Sequence, residues 1–117
     1  MEKPTAAALE AFDAGFPDDE RAVRKKMFGM PAGFVNGNMF YGVFTNGVVF
    51  RLGEEDRALI ATNDGVGPFE PMPGRPWKEY LHAEAEVWSG TDQISEWAHK
   101  ALEYTALMPP KPVKKKK

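Results

Sequence analysis

The sequence predicts a two-layer α+β domain: an antiparallel sheet of about five strands with helices on one side, in the order α-β-β-β-α-β-β-α. Three observations lead there. Residues 25–53, KKMFGMPAGFVNGNMFYGVFTNGVVFRLG, hold two Asn-Gly pairs, Asn36-Gly37 and Asn46-Gly47, between short runs of Phe, Val, Tyr and Met. Asn-Gly between alternating apolar residues signals a hairpin, because both central residues of a type I′ turn take positive φ. Two such pairs in succession give a three-stranded meander. Alternation returns over residues 77–88, WKEYLHAEAEVW, and helical apolar stripes lie at both ends of the chain.

Taken in order, residues 4–15 read as a helix. Pro4 suits a first-turn position, the alanines favour helix, and Leu9, Phe12 and Phe16 form a stripe that Gly15 and Pro17 bring to an end. Asp18 then reads as the cap of a shorter helix, with Asp19 and Glu20 early and Arg24, Lys25 and Lys26 late, or else of one turn leading straight into the sheet. In the middle strand of the meander Phe40, Gly42 and Phe44 alternate with Met39, Tyr41 and Val43; in the third, Val48, Phe50 and Leu52 oppose Val49 and Arg51. One sheet face must pack on helices. The second, read as carrying Met39, Tyr41 and Val43, is more apolar than a solvated face, so the N-terminal helix or a loop, a second copy, or a ligand is expected to cover it.

Residues 54–62 read as a short helix, acidic at its start and closed by Asn63-Asp64-Gly65. Residues 65–78 carry Pro68, Pro71, Pro73 and Pro76, which permit an edge strand at most. Over 77–88 a single long strand is expected, with Leu81, Ala83, Ala85 and Val87 inward and Tyr80, His82, Glu84, Glu86 and Trp88 outward. Ser89-Gly90 turns the chain, and Thr91 caps a last helix whose stripe is Ile94, Trp97, Ala101, Tyr104 and Met108. Pro109-Pro110 closes it. Residues 1–110 therefore read as one domain and residues 111–117 as a disordered lysine-rich tail.

Composition narrows the function classes. The chain has 117 residues, 43% of them hydrophobic, enough for one packed core and too few for two. It has no cysteine, which removes disulfides, thiolate metal sites and cysteine nucleophiles and suits a reducing cytosol. No run approaches the roughly 20 apolar residues that cross a bilayer, and the acidic N-terminus is no signal peptide, so a soluble cytoplasmic protein is expected. Of 15 basic residues, Lys111 and Lys114 through Lys117 sit in the tail, leaving 10 against 17 acidic ones, a net −7, in the body. An acidic body repels phosphate backbones, so weak nucleic-acid contact would fall to Lys114, Lys115, Lys116 and Lys117. The tail reads first as a solvated solubility tail, then as such a contact for nucleic acid or an acidic partner, and last as a cloning remnant.

Nothing in the sequence forms a catalytic set. His82 and Glu84 could place two ligands on one strand face, but a metal needs more, and neither metal nor cofactor is expected. Ser89 and Ser95 lack a glycine elbow, and the glycines are spread through the meander rather than opening a helix as a phosphate cradle does. Gly74-Arg75-Pro76 is the most suggestive loop: prolines on either side fix the direction of Arg75, which either holds an anion or pins the loop against Glu70 or Glu79. Candidate ligand or partner contacts are Arg75, Trp77, Tyr80, His82, Trp88, Met39 and Tyr41. The expected partner is another protein or a second copy.

RKKMFGMPAGFVNGNMFYGVF, the following VVFRLG, the later FEPMPGRPWKEYL and a closing helix with PPK resemble the TfoX N-terminal domain family. The resemblance covers residues 22–111. It rests on a basic residue before Met27-Phe28-Gly29, the turn and strand Gly37-Asn38-Met39-Phe40, and Gly74-Arg75-Pro76. It implies the two-layer α+β fold derived above. The namesake proteins are competence regulators described as transcriptional coactivators, with a second C-terminal domain; this chain looks like the stand-alone form. A sheet apolar on both faces, an aromatic-bearing acidic strand and the lack of a catalytic set make a non-enzymatic interaction or regulatory module the leading reading, in keeping with the regulatory role that the resemblance implies. The alternatives are a small-anion binder or weak enzyme using Arg75, and a nucleic-acid accessory protein using its tail. Met30 stands where the family commonly has a second glycine, and EYLHAEAEVW replaces its aliphatic strand.

Overall fold

The computed structural model describes residues 3–27, 29–72, 74–88 and 92–109. The elements are α1 (Ala6–Gly15), β1 (Val23–Met27), β2 (Met30–Val35), β3 (Asn38–Phe44), β4 (Gly47–Arg51), α2 (Glu54–Ile60), β5 (Val66–Pro68), β6 (Tyr80–Glu84), α3 (Ala85–Trp88) and α4 (Gln93–Ala106). The six strands form one antiparallel sheet in the order β1-β2-β3-β4-β6-β5. The fold is the α+β class expected, with one strand more than the sequence suggested.

That extra strand is β1, at residues read as a helix or turn. The capping residue is Asp19, not Asp18, and it closes a tight turn rather than a helix: its Oδ1 accepts from the Arg21 amide at 2.9 Å, and its carbonyl accepts from Ala22 at 3.0 Å. The chain leaves this turn extended, and Met27 pairs with Met30 across a turn that puts Gly29 at φ 76. The basic run that resembled a helix C-terminus is the sheet's outer strand, with Val23, Arg24, Lys25 and Lys26 all exposed. Charged residues on an edge strand discourage unspecific pairing.

Only the first Asn-Gly pair behaves as read. Asn36 and Gly37 take φ of 54 and 80 between β2 and β3. In the second hairpin the positive φ falls on Thr45, at 52, while Gly47 already belongs to β4 and pairs with Phe44. Thr5, rather than Pro4, starts α1: its Oγ1 accepts from the Ala8 amide at 3.1 Å, and its own amide donates to the Thr45 carbonyl at 2.9 Å, tying the helix to this turn.

The main core lies between the sheet and the helices. Phe12 of α1 stacks on Tyr41 with centroids 4.8 Å apart, and Phe40, Phe50, Ile60, Ala85, Trp88, Ala98 and Leu102 complete it. A bulge in β3 sets which side chains reach it. Gly33 pairs with Tyr41 but Phe34 pairs with Met39, so Phe40 is an extra residue on that strand. Alternation flips there: Tyr41 and Val43 join the helix-side core, whereas Met39 lies with Ala32, Val49 and Phe69 on the second face. Reading Met39, Tyr41 and Val43 as one row is corrected by that single inserted residue. The Tyr41 hydroxyl donates to the Phe12 carbonyl at 3.0 Å, and burial pushes its ionisation well above the usual phenol range.

The predicted long strand is corrected too. Beyond Glu84, β6 has no strand left to pair with, because β4 begins at Gly47, opposite Glu84, and β5 at Val66, opposite Ala83. The chain coils into α3 instead. A strand places Ala85 and Val87 together; a helical turn places Ala85 with Trp88. Trp88 is therefore in the core, its Nε1–H donating to the Asp64 carbonyl at 3.1 Å, while Val87 is exposed. The Thr91 cap and the Ser89-Gly90 turn lie outside the described residues, as does the lysine tail with Lys114, Lys115, Lys116 and Lys117.

Candidate functional site

The Pro-rich segment between β5 and β6 folds back over the second sheet face. Phe69 is buried against Phe44 and Trp77, with centroids 5.0 and 5.1 Å apart, and the Trp77 amide donates to the Phe69 carbonyl at 2.9 Å. Trp77 meets Tyr80 edge-on at 5.3 Å, and the Tyr80 hydroxyl donates to the Met39 carbonyl at 2.8 Å. A loop of this chain therefore covers the β3-β4-β6 side of that face. The β1-β2 side stays open: Val23 is 46% exposed, Met27 and Phe34 are half-buried, and the Lys25 ammonium lies 5.8 Å over the Phe34 ring.

The sequence-derived candidates separate accordingly. Met39, Tyr41 and Trp88 are buried packing residues. Trp77, Tyr80 and His82 are half-buried along the covered side. The His82 Nε2–H donates to the Phe44 carbonyl at 2.9 Å, and burial, against the pull of that bond and of Glu84, lowers its pKa. Arg75 is exposed in a turn held by its amide donating to the Met72 carbonyl at 3.0 Å and by Gly74 at φ 77. Among the described residues it forms no ion pair with Glu70 or Glu79.

Glu79 is held elsewhere. Its Oε1 accepts from Arg51 Nε and Nη2, each at 2.8 Å, and its Oε2 from the Tyr104 hydroxyl at 3.0 Å. Burial opposes ionisation of this carboxyl more than any single contact favours it. The bonds from Arg51 and Tyr104, with the charges of Arg51 and Arg57, still outweigh it and hold the pKa below the usual carboxylate range. A depressed folded-state pKa stabilises the fold above the unfolded value and loses that contribution as pH falls through the folded one. Stability should therefore decline as pH drops below about 4.5, the ordinary glutamate value. In Glu79→Gln that part of the profile should flatten, which urea melts across pH 2–6 would show.

Beside this pair lies an open pocket of about 440 Å³ lined by Arg51, Arg57, Trp77, Lys78, Glu79 and Tyr80. Sequence reasoning offers Arg75 either as an anion anchor or as a pin for its own loop. The structure gathers three other cations, from β4, α2 and the lead into β6, which no local spacing connects. Elsewhere, Asp19, His99 and Glu103 bring their ligand atoms within 4.8 Å of one another. The Arg21 guanidinium bridges the two carboxylates at 2.8 and 2.7 Å, so this group is explained as an ion-pair network at the surface.

Fold and site together describe a small two-layer α+β module that carries a lidded sheet face and a basic pocket. The family model of the TfoX N-terminal domain matches residues 18–105, and the chain belongs to that family. No characterised protein and no solved structure matches it. No helix among the described residues is long and apolar enough to cross a membrane.

Proposed function

We propose that this chain is a non-enzymatic interaction module that exerts a regulatory role by contact with another protein, through the open β1-β2 side of its sheet. The observation that carries the reading is β1 itself. It is an edge strand whose Val23, Arg24, Lys25 and Lys26 are all exposed, beside the half-buried apolar Met27 and Phe34. An extended segment can add to such an edge through backbone hydrogen bonds, with side-chain pockets supplying selectivity. Arg24 is paired with Asp13 at 2.9 Å, and the remaining Lys25 and Lys26 favour an acidic segment, which the acidic body of a second copy could also supply.

A photo-crosslinking residue at position 23 tests this in the cells that make the protein. A discrete adduct with one protein, or with a second copy, is expected from position 23. None is expected from position 59, where Leu59 is more exposed still on α2. Absence of an adduct at 23, or the same adducts at 59, would refute the reading.

A further inference from the structure

We propose that the pocket between β4, α2 and the start of β6 is a binding site for a phosphate monoester carrying a flat ring. Arg57 and Lys78 would hold the dianion and Trp77 the ring. The site is distinct from the β1 edge and does not depend on the function proposed above.

The charge arrangement is the first argument. Of the four charged side chains lining the pocket, Arg51 and Glu79 neutralise each other, and both Glu79 oxygens are occupied by Arg51 and Tyr104. Arg57 and Lys78 form no ion pair among the described residues. The pocket thus presents two uncompensated positive charges on a body whose net charge is strongly negative. Two cations match the charge of a phosphate monoester dianion better than that of a carboxylate.

Preorganisation is the second. Arg57 Nη1 donates to the Leu52 carbonyl at 2.7 Å, which aims the half-buried guanidinium and leaves its other N–H groups for a ligand. Leu52 is itself fixed by its amide donating to the Glu79 carbonyl at 3.0 Å. Arginine reads tetrahedral oxyanions through paired N–H groups, while lysine adds a mobile point charge. The third argument is shape. A volume of about 440 Å³ suits a small organic molecule, and its lining includes two aromatic residues, Trp77 and Tyr80, whose rings meet edge-on at 5.3 Å. The Arg51 guanidinium lies 5.4 Å over the Tyr80 ring centre, which holds that ring in place.

The test is a titration of the full isotope-labelled chain with phenyl phosphate, inorganic phosphate and benzoate, followed by amide and indole NMR signals. Phenyl phosphate should shift residues 51–57 and 77–80 saturably and bind at least about fivefold tighter than either half-ligand. Lys78→Gln, an exposed change that leaves the fold alone, should weaken it about tenfold, as should Arg57→Gln. Arg75→Gln should change it by less than about twofold. Shifts confined to the lysine tail, or an affinity unchanged in both Lys78→Gln and Arg57→Gln, would overturn the site. Equal affinity for inorganic phosphate would overturn the assignment of a ring to Trp77.

Discussion

Gly47→Ala should be among the most destabilising single changes in the chain, lowering stability by about 3 kcal/mol or more. Gly47 lies in β4 opposite Glu84, and a Cβ there would enter the Ala83 carbonyl group, coming 2.8 Å from its carbon and 2.9 Å from His82 Cε1. The obstacle is backbone on the neighbouring strand, which cannot rotate away. Relief would require parting β4 from β6, and with them the Ala85 amide from the Asn46 carbonyl that it meets at 2.9 Å. For a domain of this size such a loss lowers the midpoint by roughly 12 °C or more in a thermal melt. Gly67→Ala is the control, because nothing lies within 4 Å of the position its Cβ would take. That change should be neutral or stabilising by about 0.4–1 kcal/mol. Similar melts for the two variants would show that the β4-β6 approach is not this close.

Gly47 also marks where sequence reading succeeds and where it stops. Hairpins were legible because turn chemistry is local, and Asn36-Gly37 adopts the positive φ pair expected. Asn46-Gly47 carries the same letters, but its glycine answers to a strand nearly forty residues away, which no local rule contains. The same distinction governs the sheet faces. Alternation is correct within β4, where Val48 and Phe50 reach the main core and Val49 the second. It fails across Phe40, because a bulge is a property of two strands together and leaves no mark on one. The pocket was illegible for a related reason. Arg51, Arg57 and Lys78 are unremarkable in their own segments, and only the β4-β6 pairing with the turn into α2 brings them together. Arg75 drew notice because its prolines are local, yet it lies outside that lining.

Trp88→Ala should cost about 3–5 kcal/mol, the range for emptying a buried aromatic site. Trp88 is 4% exposed, tilted against Phe50 at 6.2 Å, and anchored through Nε1–H to the Asp64 carbonyl at 3.1 Å. Trp88→Phe retains much of the volume and loses that hydrogen bond, so it should cost about 1–3 kcal/mol. Val87→Ala, at an exposed position, should stay within about 0.5 kcal/mol. The ranking tests the backbone as well as the side chains. Were residues 77–88 one continuous strand, Val87 would face the core with Ala83 and Ala85, and Trp88 would stand in solvent, so the two alanine substitutions would exchange their effects. Urea denaturation of the three variants distinguishes these outcomes. A costly Val87→Ala beside a silent Trp88→Ala would show that β6 does not end at Glu84. The expected order places the indole in the core and makes the helical turn after β6 the device that turns it inward.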